Sequence, residues 1–302
     1  MQLTKHHGLG NDFLVVLDLD EVTPIDAGSA RALCDRHRGI GADGVLRVTS
    51  SSGEADVAMT LRNADGSLAE MSGNGIRCLA QAVARAAGTE TIELAVATDG
   101  GLRRVAVRPG PDARTSWVEV DMRPARASAG PGTAPSISVP HTESAVVDMG
   151  NPHLVLLVDD PAAVDLAALG PELSRQFRRG TNVEAVALAA RPHTVELRVW
   201  ERGAGLTQAC GTGACAAAFA AHQWGLVGDR VTVDMPGGSL EVMLGDTVVL
   251  GGPAVFVADV SVPDSLLAGE SVAGESMSAQ SVLGDVARRR PPDRQAGASR
   301  PA

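Results

Sequence analysis

The sequence contains no tyrosine, four phenylalanines, three tryptophans, four cysteines and a single lysine, Lys5. Each scarcity excludes something. Four cysteines in 302 residues, with no CxxC pair, do not make a disulfide framework. Aromatic residues are 2% of the chain and the formal net charge is −10, which argues against nucleic-acid binding, since that needs a basic footprint and stacking platforms. With only Lys5 to supply an amine, a pyridoxal-phosphate Schiff base is not expected. No run approaches the ~20 apolar residues of a membrane helix. Met1–Gly10 lacks the apolar segment of a secretory signal. These features, together with free cysteines, point to the reducing cytoplasm and to no membrane partner.

What is present is an ordinary globular balance, 44% hydrophobic and 21% charged. Strands are expected over 13–19, 56–62, 91–97 and 102–107, and helices over 27–37 and 79–87, the second stopped by Gly88. Arg108-Pro109-Gly110-Pro111-Asp112 is a breaker cluster. It suggests a first domain over 1–115, to which a strand at 253–261 returns, and a second over 116–252. Residues 124–140, rich in Pro, Ala, Ser and Gly, read as a surface loop. Residues 262–302 read as a disordered tail, because Ser, Ala, Gly, Pro and Arg dominate and five Arg stand against one Asp over 288–302.

The chain repeats itself. Ser72-Gly-Asn-Gly and Cys210-Gly-Thr-Gly each open an Ala-rich helix, 138 residues apart. The helices end at Gly88 and Gly225. A strand follows each, then a glycine pair, Gly100-Gly101 and Gly237-Gly238, then another strand. Asn63 lies nine residues before Ser72, and Glu201 nine before Cys210. Two homologous units facing one another, with a site in the cleft between them, account for this pattern.

A glycine-rich turn entering a helix presents free N–H groups at the positive end of the dipole, and two such ends across a cleft could hold one carboxylate. No G-x-G-x-x-G follows a strand and no G-K-[ST] is present, so nucleotide binding is not supported. Cys210 stands at a helix start, where a lowered thiol pKa would make a thiolate available near neutral pH. It is the candidate acid, base or nucleophile. Cys34, Cys78 and Cys215 fall inside helical patterns and read as packing. Cys34 and His37 have metal-compatible spacing but no second pair, so no metal is expected. His153 follows an Asn151-Pro152 turn between two apolar strands.

Seven blocks in order resemble the diaminopimelate epimerase family: Lys5–Phe13, Asn63–Ser67, Gly73–Cys78, Met149–His153, Glu201–Gly205, Ala209–Gly213 and Pro236–Ser239. The resemblance spans about residues 1–260. It implies an α/β (α+β) fold of two pseudo-symmetric domains, each with strands wrapped around a central helix. It implies cofactor-independent, two-base interconversion of LL- and meso-diaminopimelate at the α-carbon, in lysine biosynthesis, by a homodimer. Carried over by position, Cys210 is one catalytic group, with His153 and Glu201 tuning the acid/base pair. Gly73, Asn74, Gly211 and Thr212 would hold the reacting carboxylate. Asn11, Asn63, Asn151, Asn182, Glu201 and Arg202 would hold the substrate's other polar groups, Arg202 pairing the distant carboxylate.

The family's other catalytic cysteine stands immediately before Gly-Asn-Gly, and here that position is Ser72. Cys78, six residues on, does not replace it. An alcohol is a far weaker acid than a thiol of reference pKa ~8.5, so Ser72 is poorly matched to general acid–base work. Gly44 and Leu206 also stand where larger polar or acidic residues are common in the family. Three readings follow: a diaminopimelate epimerase altered at Ser72, an epimerase or racemase for a related amino acid in a specialised pathway, and a non-catalytic amino-acid-binding protein.

Overall fold

The computed structural model describes residues 1–69, 71–128 and 135–267. The first half runs β1 (Gln2–Gly8), β2 (Asn11–Leu17), α1 (Ala27–Cys34), β3 (Gly44–Ser50), β4 (Val57–Asn63), β5 (Leu68–Ala69), α2 (Gly73–Ala86), β6 (Ile92–Thr98), β7 (Gly101–Pro109) and β8 (Thr115–Asp121). The second runs β9 (Arg126–Ala127), β10 (Glu143–Asp148), β11 (Pro152–Leu157), α3 (Leu166–Ser174), β12 (Asn182–Leu188), β13 (Thr194–Glu201), β14 (Gly205–Thr207), α4 (Gly211–Gln223), β15 (Arg230–Met235), β16 (Gly238–Leu244) and β17 (Val248–Ser261).

The strand pairings repeat as the sequence does. β1–β2, β3–β4 and β6–β7 are antiparallel, whereas β2–β3 and β4–β6 are parallel. In the second half β10–β11, β12–β13 and β15–β16 are antiparallel, and β11–β12 and β13–β15 parallel. The fold is therefore mixed α/β in two pseudo-symmetric halves. β1, β2, β3, β4, β6, β7, β8 and β17 close a ring around α2, because β17 pairs with both β8 and β1. The other half wraps α4, and β17 joins it through β16.

Both central helices are Ala-rich because strands surround them. Every residue of α2 from Gly73 to Ala84 is buried, and Ile76, Leu79 and Val83 are wholly inaccessible. Small side chains between these anchors let strands approach from several sides. Such apolar anchors each contribute roughly 1.5–3 kcal/mol by leaving water. Cys78 and Cys215 lie inside these helices, fully buried, and burial pushes both thiols up to about 12.

Several expectations are corrected. α1 stops at Cys34, not His37, because the Asp35 carboxylate takes the backbone N–H groups of His37 and Arg38, each at 2.8 Å, out of the helical pattern. α2 starts at Gly73, capped by Ser72 as the repeat implies, six residues before the expected 79–87 helix begins. The 124–140 segment is not all surface loop. β9 pairs with β10, and Ile137 and Val139 pack on the core of α3, while 129–134 lie outside the described residues. Nor is all of 262–302 a tail. Val262 is buried, its N–H donates to the Met1 carbonyl, and Leu266 and Leu267 pack on the core of α1. A few apolar residues suffice to dock that turn. Residues 268–302, the rest of the expected disordered tail, lie outside the described residues.

Candidate active site

The two repeated loops meet. Ser72 and Cys210 are the N-cap residues of α2 and α4, with nearly the same backbone (φ −136°, ψ 122° and φ −129°, ψ 117°). Ser72 Oγ accepts the Gly75 N–H at 3.0 Å, and Cys210 Sγ accepts the Gly213 N–H at 3.4 Å. The helix ends abut so closely that a Cβ on Gly73 would stand 3.2 Å from the Gly211 Cα, and one on Gly211 3.2 Å from the Gly73 Cα. A side chain at either position would force the helix ends a few tenths of an ångström apart. First-turn amides have no acceptor within their own helix. Those of Gly73, Asn74, Gly211 and Thr212 take none elsewhere among the described residues.

Asn74 ties the halves together. Its Nδ2 donates to the Ala209 carbonyl at 3.2 Å and to Asn11 Oδ1 at 3.1 Å. Asn11 in turn donates to Asp43 at 2.7 Å. Arg77, fully buried, donates to Asn74 Oδ1, the Gly73 carbonyl and the Pro253 carbonyl. Burial lowers this guanidinium to about 10. Lys5, the single lysine, sits on Asp12 at 2.9 Å and the Gly41 carbonyl at 2.6 Å, so its amine holds the loop beside Asn11.

Cys210 is 4% exposed. Its thiol donates to Glu201 Oε2 at 3.0 Å, and Thr207 and Thr212 hydroxyls flank the pair, Thr207 donating to Glu201 Oε1. The expected thiolate is not the resting form. Burial first, then the charges of Glu201 and Glu184, push the Cys210 thiol well above its usual range. A helix dipole supplies only ~0.3–2 kcal/mol in favour of an anion, too little against burial and two carboxylates.

The remaining expected residues are placed as follows. His153 makes no hydrogen bond to Cys210. Its Nδ1 meets Glu184 Oε1 at 2.6 Å and its Nε2 meets Asn151 Oδ1 at 3.1 Å. Asn182 Oδ1 accepts the Arg202 N–H at 2.8 Å, and the Arg202 side chain donates to the Arg179 carbonyl. Asn63 turns into its own hairpin, Nδ2 donating to Ser67 Oγ at 3.0 Å. Gly44 has no room for a larger residue, since a Cβ would stand 2.7 Å from the Arg62 carbonyl oxygen. Leu206 is exposed. Sequence reasoning passed over Glu184 and Thr207. The available signal for Glu184 was a lone acid inside an otherwise apolar run, Val183–Ala187.

A family profile for diaminopimelate epimerase matches residues 3–127 and 145–257. A diaminopimelate epimerase of a Cyanothece species is 40% identical over 278 residues, covering 84% of this chain and 96% of that protein. The chain belongs to the diaminopimelate epimerase family. A family member from Rhodospirillum centenum is 39% identical over 282 residues, covering 88% of this chain and 93% of its own length. Membership makes the protein an isomerase. Solved structures of the same fold include a phenazine biosynthesis protein of the PhzF family from Bacillus anthracis, with TM-score 0.65, 16% identity, and 87% of this chain and 99% of that one covered. A hydroxyproline epimerase from Agrobacterium vitis, bound to trans-4-hydroxy-L-proline, has TM-score 0.61 and 16% identity over 87% of this chain and 90% of its own. No helix among the described residues is long and apolar enough to cross a membrane.

Proposed function

We propose that this protein epimerises diaminopimelate between its LL and meso forms without a cofactor, and that Ser72 stands where the family carries its second catalytic cysteine. The observation that carries the reading is the Cys210 thiol, aimed at Glu201 and placed beside two abutting helix N-termini. The substrate's reacting carboxylate lies on the free amides of Gly73, Asn74, Gly211 and Thr212, where N–H groups and both helix dipoles favour an anion. Negative charge that develops at the α-carbon delocalises into that carboxylate, so the same donors stabilise the carbanion.

Proton movement balances as follows. Cys210 passes its thiol proton to Glu201 and becomes the base. It takes the α-proton of the stereoisomer that faces it, leaving the electron pair on carbon. Inversion then needs a proton from the Ser72 face. In the reverse direction the Cys210 thiol is the donor. Asn11, Asn63, Asn151, Asn182, Glu201 and Arg202 supply the remaining polar contacts, with Arg202 on the distant carboxylate. His153 acts behind Cys210.

With only one thiol, one stereoisomer exchanges its α-proton with solvent faster than it inverts. Incubation in deuterated water with each isomer, read by NMR, tests this. Absence of exchange from every isomer would remove the enzymatic reading, and exchange with a related amino acid instead would reassign the substrate.

We also propose two domains, 1–115 with the returning strand 253–261, and 116–252; β8, which follows the boundary, pairs with β7 and packs on α2. We further assign the protein to the cytoplasm and to a homodimer, for which light scattering would give twice the 30.9 kDa chain mass.

A further inference from the structure

Glu184 and His153 form a hydrogen-bonded pair in the core, both wholly inaccessible. Glu184 Oε1 bonds to His153, but Oε2 is buried with no hydrogen-bond partner among the described residues. A buried carboxylate oxygen without a donor is costly, so its position calls for a reason. Gly213 supplies the geometry: a Cβ there would stand 3.0 Å from Glu184 Oε1 and 3.3 Å from Cys210 Sγ. The carboxylate and the thiol thus both lie against Gly213, which has no side chain to place between them.

In the pseudo-symmetric half the equivalent place is apolar. His153 aligns with Asn182 across β11–β12, as Phe13 aligns with Gly44 across β2–β3, and Asn182 and Gly44 are 138 residues apart, the period of the repeat. Glu184 thus corresponds to Leu46, and His153 to Phe13. Around Gly75, the counterpart of Gly213, a Cβ would meet Leu46 at 3.4 Å and Ser72 Oγ at 3.4 Å. An apolar Leu–Phe pair therefore fills, beside Ser72, the place that Glu–His fills beside Cys210. Replacing buried ion pairs by apolar residues is often neutral or stabilising. The ionisable pair stands where the thiol is.

We propose that Glu184, held by His153, is a positioning residue that keeps Cys210 protonated in the resting site until Glu201 takes its proton. This rests on the reading of Cys210 as a proton-transfer group. The charged groups facing the thiol are Glu201 from β13 and Glu184 from β12, with His153 from β11 behind Glu184. Glu201 contacts the thiol directly and is the proton's first acceptor. Glu184 makes no hydrogen bond to it and acts through its charge. Burial pushes the Glu184 carboxyl up, and the facing His153 opposes that rise.

The test is the pH dependence of Cys210 alkylation by iodoacetamide in the full chain, read by mass spectrometry on the Cys210 peptide, with no substrate present. Glu184→Gln keeps the shape and removes the charge. The alkylation curve moves about one pH unit lower, so that the rate below the midpoint rises roughly tenfold. Glu184→Asp restores the charge and the wild-type curve. The double variant His153→Phe, Glu184→Leu copies the other half, keeps cooperative melting and shows the same shift. A wild-type alkylation curve in Glu184→Gln overturns the proposal, whatever happens to its melting temperature. Failure of the epimerase reading would appear separately, as absent α-proton exchange with the alkylation shift intact.

Discussion

Ser72→Cys is the perturbation with opposite expected effects on rate and stability. On the stability side, Ser72 Oγ caps α2 through the Gly75 N–H at 3.0 Å. A thiol caps more weakly, as Cys210 does at 3.4 Å. Complete loss of a serine cap costs ~0.5–2 kcal/mol, and a sulfur cap retains part of it, so the variant loses about 1 kcal/mol at most. For halves of this size that is a fall of roughly 2–4 °C in melting temperature. On the rate side, the change replaces an alcohol by a thiol of reference pKa ~8.5 on the face opposite Cys210. A positioned acid–base group contributes typically ~10²–10⁴, which is the expected rise in inversion rate. Chiral chromatography of LL- and meso-diaminopimelate gives the rate, and differential scanning calorimetry gives the stability. An unchanged inversion rate in a variant with a normal melting curve would show that residue 72 does not face the substrate, and the two-face mechanism would fall with it.

Gly211→Ala sets a methyl 3.2 Å from the Gly73 Cα and 3.0 Å from Leu250. Overpacking of this kind costs ~1–3 kcal/mol, and parting the helix ends weakens carboxylate binding, so KM rises and calorimetry shows the loss. Glu201→Gln removes both the base that takes the thiol's proton and a charge that pushes Cys210 up, after burial the larger of the two carboxylate effects. Its alkylation curve moves to lower pH while α-proton exchange falls, and an unmoved curve would contradict the charge argument. His6 is buried against Gln81 and Thr4, and burial lowers it from 6.5 to about 4. The folded state thus binds this proton later than the unfolded chain. The stabilisation is complete above about pH 6.5 and decays as pH falls towards 4, by roughly 3 kcal/mol in all. In His6→Asn, acid melting curves flatten across that window, and an unchanged slope would show that His6 is not the group titrating.

The sequence by itself determined the repeat, the fold class and the chemical identity of the two facing loops. Its signals are local. A glycine turn entering an Ala-rich helix is recognisable because capping and helix propensity act within a few residues, and the 138-residue period survives as spacing alone. Ser72 and Cys210 were legible as helix starts for the same reason. The ends of α1 and the docking of Val262–Leu267 were less so. An aspartate competing for N–H groups, or three apolar residues finding a groove, depends on partners elsewhere. The proton state of Cys210 lay furthest from reach. Helix position alone favours a thiolate, and the structure reverses this by burying the sulfur and bringing Glu201 from β13 and Glu184 from β12 against it. Desolvation and Coulomb interaction act through space, so only the tertiary structure, which packs strands of distant sequence around one helix end, decided which form the thiol takes.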